Sequence, residues 1–337
     1  MPSKLMGVDA GGTNISFGIS DVHGKLQDQW SIKTNILDNG NHIVPDMIDS
    51  ISHRLSLYNL KPSDFYAIGM DFPGNVVKSG SAVSGAYNLN WGPAHDVKGP
   101  LEDKFKIPVV LENDANVAAL GENWKGAGNS SQDVITVMLG TGIGAGIIEN
   151  GKLQLGFHGS AGEIGHICVV PNGFKCACGK QGCLERYASA NGIVELANHL
   201  AEQYEGTSKL KKLLDTGQDV TSETIVNLAK KNDYLALKSI TQSCKYIGLV
   251  LSYVGNILDP ETIVIGGGVS QAGQFLVNLI EKPFNELLFP PLKGKIKLKL
   301  AKLGNIVGLF GALSLALKYV EDKELNKRDL LAKKITL

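Results

Sequence analysis

The sequence lacks both a net charge and a long apolar run. Its 337 residues carry 33 basic and 33 acidic side chains, so the chain as a whole has no electrostatic attraction to nucleic acid or to an anionic membrane. No run approaches the roughly 18–20 apolar residues of a membrane span, and no secretion signal precedes the first polar motif. We therefore expect a cytoplasmic protein with neither a nucleic-acid nor a membrane partner.

Cysteine is scarce and odd in number. The chain has five cysteines, and three of them, Cys176, Cys178 and Cys183, lie close together and downstream of His166. An odd count with a cluster near a histidine favours a reducing compartment and a metal site over a disulfide framework. Cys168 and Cys244 stand in apolar surroundings and are predicted to be core residues.

Both common phosphate-binding patterns, the Walker A sequence and the dinucleotide G-x-G-x-x-G, are absent. Three other glycine turns each follow an apolar run, at Asp9–Asn14, Gly140–Gly144 and Gly266–Gly268. Backbone N–H groups of such turns can approach phosphate oxygens closely, and Thr13 and Thr141 add hydroxyl donors. One turn alone could serve only chain reversal, but three in one chain favour nucleotide binding.

The first two glycine turns share one plan, in which an apolar run, the turn, a second apolar run and a polar turn follow each other. The simplest account is an internal duplication of a β-hairpin unit. Apolar runs and helical spacings alternate between the two copies, which predicts an α/β domain with a mixed sheet. We expect a small α/β domain at 1–125 with a C-terminal helix at about 305–320, a large domain at 126–304, and a charged tail at 321–337.

Two carboxylates stand at the ends of predicted strands. Asp9 ends the first strand and is placed to meet Mg²⁺ or its water shell. Asp114 follows a buried strand, between Asn113 and Asn116, at the edge where open α/β sheets bind ligands. Asp114 could be a general base for a hydroxyl nucleophile or merely the N-cap of the next helix, and position alone does not decide. Glu122 on that helix is expected to face solvent.

The densest functional stretch runs from Gly162 to Glu185 and holds His166 and three cysteines, Cys176, Cys178 and Cys183. One histidine and three cysteines satisfy a tetrahedral structural Zn²⁺, and nearby glycines let a short loop curl around one ion. The alternative is a set of buried free cysteines. With all four ligands supplied by protein, the metal would be structural. The other ring nitrogen of His166 could then form a hydrogen bond with a substrate.

These motifs together resemble the ROK family of sugar kinases and repressors, within the actin/hexokinase-like ATPase superfamily. The resemblance covers nearly the whole chain and is carried by segments 9–14, 112–116, 139–146, 162–166, 176–185, 258–261 and 265–269. It implies a two-domain actin-like ATPase fold of ribonuclease H-like type, with a zinc-bound loop and with sugar and ATP held between closing domains. Ala10 departs from the glycine common in the first turn.

The resemblance also implies residue roles. Asp114 would take the proton from the sugar hydroxyl. The implied sugar-binding residues are Asn113, Asp114, Glu163, His166 and Glu185, with Gly74 and Asn88 as further candidates. The implied nucleotide-binding residues are Asp9, Gly11, Gly12, Thr13, Asn14, Thr141, Gly142, Gly267 and Gly268. The implied zinc ligands are His166, Cys176, Cys178 and Cys183.

The function that follows is ATP-dependent phosphorylation of glucose to glucose 6-phosphate, with Mg²⁺ and a structural Zn²⁺ as metals. Another hexose or an N-acetylhexosamine is the open alternative: N-acetylglucosamine, N-acetylmannosamine, mannose or fructose. The sequence decides neither between these sugars nor between ATP and polyphosphate as donor. Repressors of the family carry an N-terminal DNA-binding extension, for which no room is expected here. A homodimer or homotetramer is expected.

Overall fold

The computed structural model describes residues 2–335 and, beyond residue 323, the backbone alone. The chain divides into two compact units. The first takes the residues up to Gly126, the loop Gly156–Gly159 and the chain from Asn305 onwards, and the second takes Ala127–Leu155 and Ser160–Gly304. The charged tail predicted at 321–337 continues a helix as far as Ile335; its side chains from residue 324 and its last two residues lie outside the described part.

Strands and helices alternate along much of the chain. The strands are β1 Lys4–Ala10, β2 Asn14–Asp21, β3 Leu26–Lys33, β4 Phe65–Phe72, β5 Asn75–Val76, β6 Ala82–Ser84, β7 His95–Asp96, β8 Val109–Asn113, β9 Val134–Leu139, β10 Ile143–Glu149, β11 Lys152–Leu153, β12 Thr262–Gly266 and β13 Lys297–Leu300. The α-helices are α1 Ile43–Leu57, α2 Lys98–Phe105, α3 Asp114–Lys125, α4 Glu185–Ala188, α5 Ala190–Glu202, α6 Lys209–Asp215, α7 Ser222–Lys230, α8 Tyr234–Leu258, α9 Gln274–Leu287 and α10 Val307–Ile335. None of the helices in residues 2–335 is long and apolar enough to cross a membrane.

The first unit is built on a mixed sheet in the order β3-β2-β1-β4-β8. β1–β3 form antiparallel pairs, whereas β1, β4 and β8 run parallel. The strands that face helices on both sides are almost continuously apolar, as expected for buried parallel strands. One face packs against α1 and α2 around residues such as Phe17, Met47 and Leu101, all with no exposed surface.

The other face of this sheet is covered by α10, and glycines allow the close approach. A Cβ added at Gly69 of β4 would lie 2.0 Å from the Ala312 carbonyl oxygen, and one at Gly311 would lie 1.9 Å from the Val117 carbonyl oxygen of α3. No real Cβ tolerates such distances, so the backbones of sheet and helices touch directly. This packing holds the start of α3 rigidly beside the end of β8.

The second unit repeats the same plan in the order β11-β10-β9-β12-β13. β9 and β10 form the antiparallel hairpin, and β9, β12 and β13 run parallel. Helices α5 and α7–α9 cover one face of this sheet, with Ile263, Ile240 and Ile280 in their common core. The two sheets thus confirm the repeated hairpin predicted from the glycine turns.

Three expectations about burial and length need correction. Glu122 is fully buried rather than solvent-facing. Cys168 is exposed, whereas Cys244 is buried as predicted. The C-terminal helix, expected to end near residue 320, runs on through Val307–Ile335.

Candidate active site

Three carboxyl groups lie at one edge of the first sheet. β1, β4 and β8 are parallel neighbours, so their carboxyl ends meet at the same edge. Asp9 is paired in register with Asp71, and Asp114 directly follows β8 as the first residue of α3. The charges of Asp9, Asp71 and Asp114 influence one another. The fold therefore brings Asp9 and Asp114, which were predicted from the sequence, close to Asp71, to which the sequence analysis gave no role.

Asp71 is the acid that the sequence analysis missed. It is only 3% exposed, and burial, followed by the charges of Asp9 and Asp114, raises its pKa well above the usual range. Burial and then the charge of Asp114 raise the pKa of Asp9 to about 6, against a hydrogen bond with Asp71 that lowers it. Burial therefore favours the neutral form of Asp71, and the hydrogen bond with Asp71 favours the charged form of Asp9. The signal of Asp71 in the sequence was one acid inside an otherwise apolar strand.

Asp71→Asn is expected to lose less stability than wild type when the pH is raised from 5 to 8. A raised pKa means that the folded state binds the proton more tightly than the unfolded chain does. The stability contributed by Asp71 is therefore fully present below its unfolded pKa and is lost as the pH rises through the folded pKa, in the direction given by burial. Asparagine does not titrate and keeps a donor for Asp9. Denaturant unfolding at both pH values, without added metal, measures the difference.

The matched control for that measurement is Asp103→Asn. Asp103 lies in the same unit, and its side chain is 88% exposed. Its replacement should shift the free energy of unfolding by the same small amount at both pH values. The free energies of unfolding of wild type and Asp71→Asn should therefore differ by an amount that depends on pH. If that amount is the same at both pH values, the buried Asp71 carboxyl does not cause the pH dependence of stability.

Asp114 is not the cap of the helix that it begins. Asn113 is the N-cap residue, with extended backbone angles, and its Oδ1 accepts a hydrogen bond from the Ala115 backbone N at 2.9 Å. The Asp114 side chain is exposed, and its Oδ1 accepts from the same N–H at 2.8 Å. Because Asn113 satisfies the capping role, the interpretation of Asp114 as a mere N-cap is wrong. What remains is an exposed carboxylate at the carboxyl edge of the sheet.

The other candidate sugar ligands of the first unit flank this position. The Asn113 Nδ2 donates to the Gly74 carbonyl oxygen at 2.9 Å, which ties the loop after β4 to the start of α3. Gly74 has a φ of 94°, and a Cβ there would lie 2.6 Å from the Ser84 carbonyl oxygen. Only glycine fits this position. Asn88 is exposed and lies against the first glycine turn, with its carbonyl oxygen 3.2 Å from the place of a Cβ on Gly12.

The first glycine turn is closed by its own backbone. The Gly11 N–H donates to the Asn14 carbonyl oxygen at 3.0 Å, and the Thr34 Oγ1 donates to the Gly11 carbonyl oxygen at 2.6 Å. Thr13 and Asn14 are exposed. Ala10, where glycine is common, is buried without disturbing the turn. The turn is therefore closed by hydrogen bonds to its own backbone, with Thr13 and Asn14 exposed on it.

The second glycine turn has a matching closure in the second unit. The Gly140 N–H donates to the Gly142 carbonyl oxygen at 3.0 Å, and Thr141 is exposed. The Ile143 N–H donates to Glu185 Oε2 at 3.0 Å. The structure thus places Glu185, a predicted sugar ligand, directly against the predicted phosphate turn.

The third glycine turn lies against the end of β9. Gly267 has a φ of 83°, and a Cβ there would lie 2.5 Å from the Leu139 carbonyl oxygen. Gly268 is exposed and opens onto free space. The second and third turns are therefore neighbours, because Leu139 immediately precedes Gly140.

The four predicted metal ligands meet in one cluster. The ligand atoms of His166, Cys176, Cys178 and Cys183 all lie within 4.8 Å of one another. His166 Nδ1 lies 3.7 Å from the Cys176 sulfur, and the sulfurs of Cys178 and Cys183 are 3.6 Å apart. Such separations suit four ligands around one tetrahedral Zn²⁺, whose bonds to sulfur are about 2.3 Å long. Cys168 is outside this group.

The second ring nitrogen of His166, Nε2, lies on the side of Glu163. The His166 Nε2 lies 3.8 Å from Glu163 Oε2, and both side chains are partly exposed. The Lys180 Nζ donates to the His166 carbonyl oxygen at 2.8 Å, which fixes the histidine backbone. The ring therefore has Nδ1 towards the cluster and Nε2 beside Glu163.

The sequence matches the pattern described as "ROK family" over residues 5–319. The chain belongs to the ROK family. It is 38% identical over 307 residues to a glucokinase of Halalkalibacterium halodurans, with 91% of this chain and 92% of that protein covered. A ROK family glucokinase of Streptomyces griseus, solved in complex with glucose and AMPPNP, superposes with a TM-score of 0.73 at 32% identity, covering 94% of this chain and 99% of that one.

Regulators are also among the relatives of this ROK chain. It is 29% identical to a xylose repressor of Bacillus spizizenii, with 94% of the chain but 78% of the repressor covered. Family membership therefore fixes the α/β ROK fold, which kinases and repressors share. The choice between a kinase and a repressor therefore depends on the residues at the site.

Proposed function

We propose that this ROK chain is a glucokinase, which transfers the γ-phosphoryl group of ATP to the 6-hydroxyl of glucose and yields glucose 6-phosphate and ADP. The carrying observation is the position of the Asp114 carboxylate, which is exposed at the start of α3, where Asn113 supplies the N-cap. The identity to a glucokinase over nine-tenths of both chains supports the same reaction.

Asp114 is proposed to accept the proton of the attacking sugar hydroxyl. A carboxylate at the edge of a sheet, pinned by the Ala115 N–H, can stay within hydrogen-bond reach of a bound hydroxyl. Phosphoryl transfer needs mainly positioning and charge neutralisation. The base therefore aligns the nucleophile as well as taking its proton.

The sugar hydroxyls are proposed to be held by the polar groups of the predicted sugar-binding residues. Asn113, Gly74 and Asn88 are the candidates of the first unit, and the Asn113–Gly74 hydrogen bond of 2.9 Å supports their acting together. The second unit offers the three side chains Glu163, His166 and Glu185. Carboxylates and an imidazole nitrogen can each accept a sugar O–H, which gives orientation as well as affinity.

The glycine turns are proposed to bind ATP. Gly11, Gly12, Thr13 and Asn14 in the first turn, and Thr141 and Gly142 in the second, would face phosphate oxygens, with Gly267 and Gly268 near the adenosine. Asp9 would hold Mg²⁺ or its water shell, which fits the burial and the neighbouring Asp114 charge that raise the pKa of Asp9 to about 6. A bound Mg²⁺ supplies charge neutralisation of the phosphates.

The His166, Cys176, Cys178 and Cys183 cluster is proposed to hold one structural Zn²⁺. The donor set of one nitrogen and three sulfurs, with ligand atoms within 4.8 Å of one another, supports this choice. The metal would supply a fixed point for the loop. His166 would then present Nε2, on the Glu163 side of the ring, to the sugar.

A homodimer or homotetramer is proposed, through a patch on α8 and the end of α9. The patch consists of Tyr253, Ile257, Leu287 and Phe289, which are 44%, 77%, 48% and 61% exposed. Asn256 of α8 links the two parts of the patch, because its Oδ1 accepts a hydrogen bond from the Phe289 N–H at 2.8 Å. Contiguous exposed apolar side chains of this kind are typical of an interface.

The alternative is the same reaction on another hexose or on an N-acetylhexosamine. A coupled assay of ADP release should compare glucose with N-acetylglucosamine, N-acetylmannosamine, mannose and fructose, with ATP and polyphosphate as donors. Glucose with ATP is expected to give kcat/KM at least about tenfold above every other pair, since one mismatched polar group costs more than about 1 kcal/mol. A higher value for an N-acetylated sugar would replace glucose as the substrate but keep the kinase.

A further inference from the structure

The second glycine turn is held by an acid that the proposed function uses only for the sugar. Resting on that function, we propose that Glu185 is also a positioning residue for ATP: its carboxylate fixes the turn Gly140–Gly142 in the shape that receives phosphate. The sugar-binding loop and the phosphate turn of the second unit would then share one side chain. Removing that side chain would weaken nucleotide binding even with no sugar present.

The first support is a directed hydrogen bond. The Ile143 N–H donates to Glu185 Oε2 at 3.0 Å. Ile143 is the first residue of β10 and closes the turn. A carboxylate acceptor makes this bond stronger than one between neutral groups. Because the Ile143 N–H is turned towards Glu185, the backbone of the turn is fixed from that side.

The second support is the absence of a side chain at Gly142. A Cβ there would lie 2.5 Å from Glu185 Oε2, although the φ of Gly142 is not in the left-handed region. Backbone geometry therefore does not demand glycine at this position. A side chain at this position would instead displace the Glu185 carboxylate from the turn.

The third support is that neighbouring segments also approach the turn and β10 through backbone atoms. A Cβ at Gly162 would lie 2.1 Å from the Ala145 carbonyl oxygen, and one at Gly165 would lie 2.3 Å from the Ile143 carbonyl oxygen. The Ala190 N–H donates to the Gly140 carbonyl oxygen at 2.8 Å. These contacts survive a change of the Glu185 side chain. A variant of Glu185 thus loses one interaction with the turn, whereas the position of the loop is expected to stay the same.

Charge alone would act in the opposite direction. A negative side chain beside a phosphate turn repels the phosphates of ATP, so simple removal of charge should tighten nucleotide binding. Positioning predicts weaker binding when the acceptor is lost and little change when a neutral acceptor replaces it. Glutamine keeps an acceptor of the same reach, aspartate keeps the charge but is one methylene shorter, and alanine has neither.

The test is the dissociation constant of a non-hydrolysable ATP analogue with Mg²⁺, measured by calorimetry without sugar. Glu185→Ala and Glu185→Asp are expected to bind about tenfold more weakly than wild type, the loss of one charge-assisted hydrogen bond, and Glu185→Gln to bind within about threefold. Glu163→Gln is the matched control, because Glu163 pairs with His166 rather than with the turn. It should raise the KM for sugar but leave nucleotide affinity unchanged.

Each result has a distinct meaning. If Glu185→Ala and Glu185→Asp, both folded by thermal unfolding, bind the analogue as tightly as wild type, the positioning role is wrong while the glucokinase proposal stands. Tighter binding by Glu185→Gln and Glu185→Ala alike would also overturn it, since charge would then be the whole effect. If wild type itself binds no nucleotide, the proposed function fails instead. Should Glu185→Ala not fold, the aspartate and glutamine pair decides.

Discussion

Asp114→Asn is expected to lower kcat for glucose by about 10³-fold, within the 10²–10⁴ that a general base contributes. Asparagine is nearly isosteric but cannot accept the proton of the attacking hydroxyl. The Asn113 cap and its bond to the Ala115 N–H do not depend on the Asp114 side chain, so α3 should begin at the same residue. Steady-state kinetics with saturating glucose and ATP measure the effect.

The Asp114→Asn substitution should have little effect on the stability of the fold. Loss of one negative charge from the first turn of a helix costs about 0.3–1 kcal/mol, so the melting temperature should move by only a few degrees at most. Asp103→Asn removes an equally exposed acid from α2 and should keep full turnover. If Asp114→Asn turns over within about threefold of wild type, the base is another group and the assignment is wrong.

Cys178→Ser has the second-largest expected effect. Purified wild-type protein should contain about one zinc per chain, and the variant close to none, because a serine hydroxyl is a poor replacement for a thiolate ligand. Cys178 is exposed, so the substitution changes the metal site without opening a cavity. The KM for glucose is expected to rise about 10–100-fold, as His166 loses its fixed orientation.

Cys168 offers a matched control for the zinc prediction. It is also exposed, and the place of a Cβ on Gly182 lies only 3.1 Å from its sulfur, yet it is outside the ligand group. Cys168→Ser should retain zinc and glucose affinity. Metal analysis and sugar kinetics of both variants give the answer. A wild-type protein without zinc, or a Cys178→Ser variant with normal zinc, would refute the proposed metal.

The metal cluster was predictable because its ligands are close together in the chain. The stretch from His166 to Cys183 contains all four, so no long-range contact had to be inferred. The first two glycine turns were predictable for the same reason, since each lies between two apolar runs that pair as neighbouring strands. The repeated hairpin then followed, and both sheets contain it.

Features that depend on distant segments were not predictable. Glu122 is fully buried on α3, a helix that packs against α10 from near the end of the sequence. Asp71 meets Asp9 only through the parallel register of β1 and β4. Whether Asn113 or Asp114 caps α3 depends on the extended backbone of Asn113, with φ −69° and ψ 147°. Residue type alone favours either as a cap.

The most direct test of the glucokinase proposal is detection of glucose 6-phosphate itself, with glucose-6-phosphate dehydrogenase as the coupling enzyme. Wild-type protein given glucose, ATP and Mg²⁺ is expected to form one glucose 6-phosphate for each ADP released, and Asp114→Asn is expected to form almost none. A protein that holds its zinc and binds ATP, yet makes no glucose 6-phosphate at saturating glucose, would contradict the account.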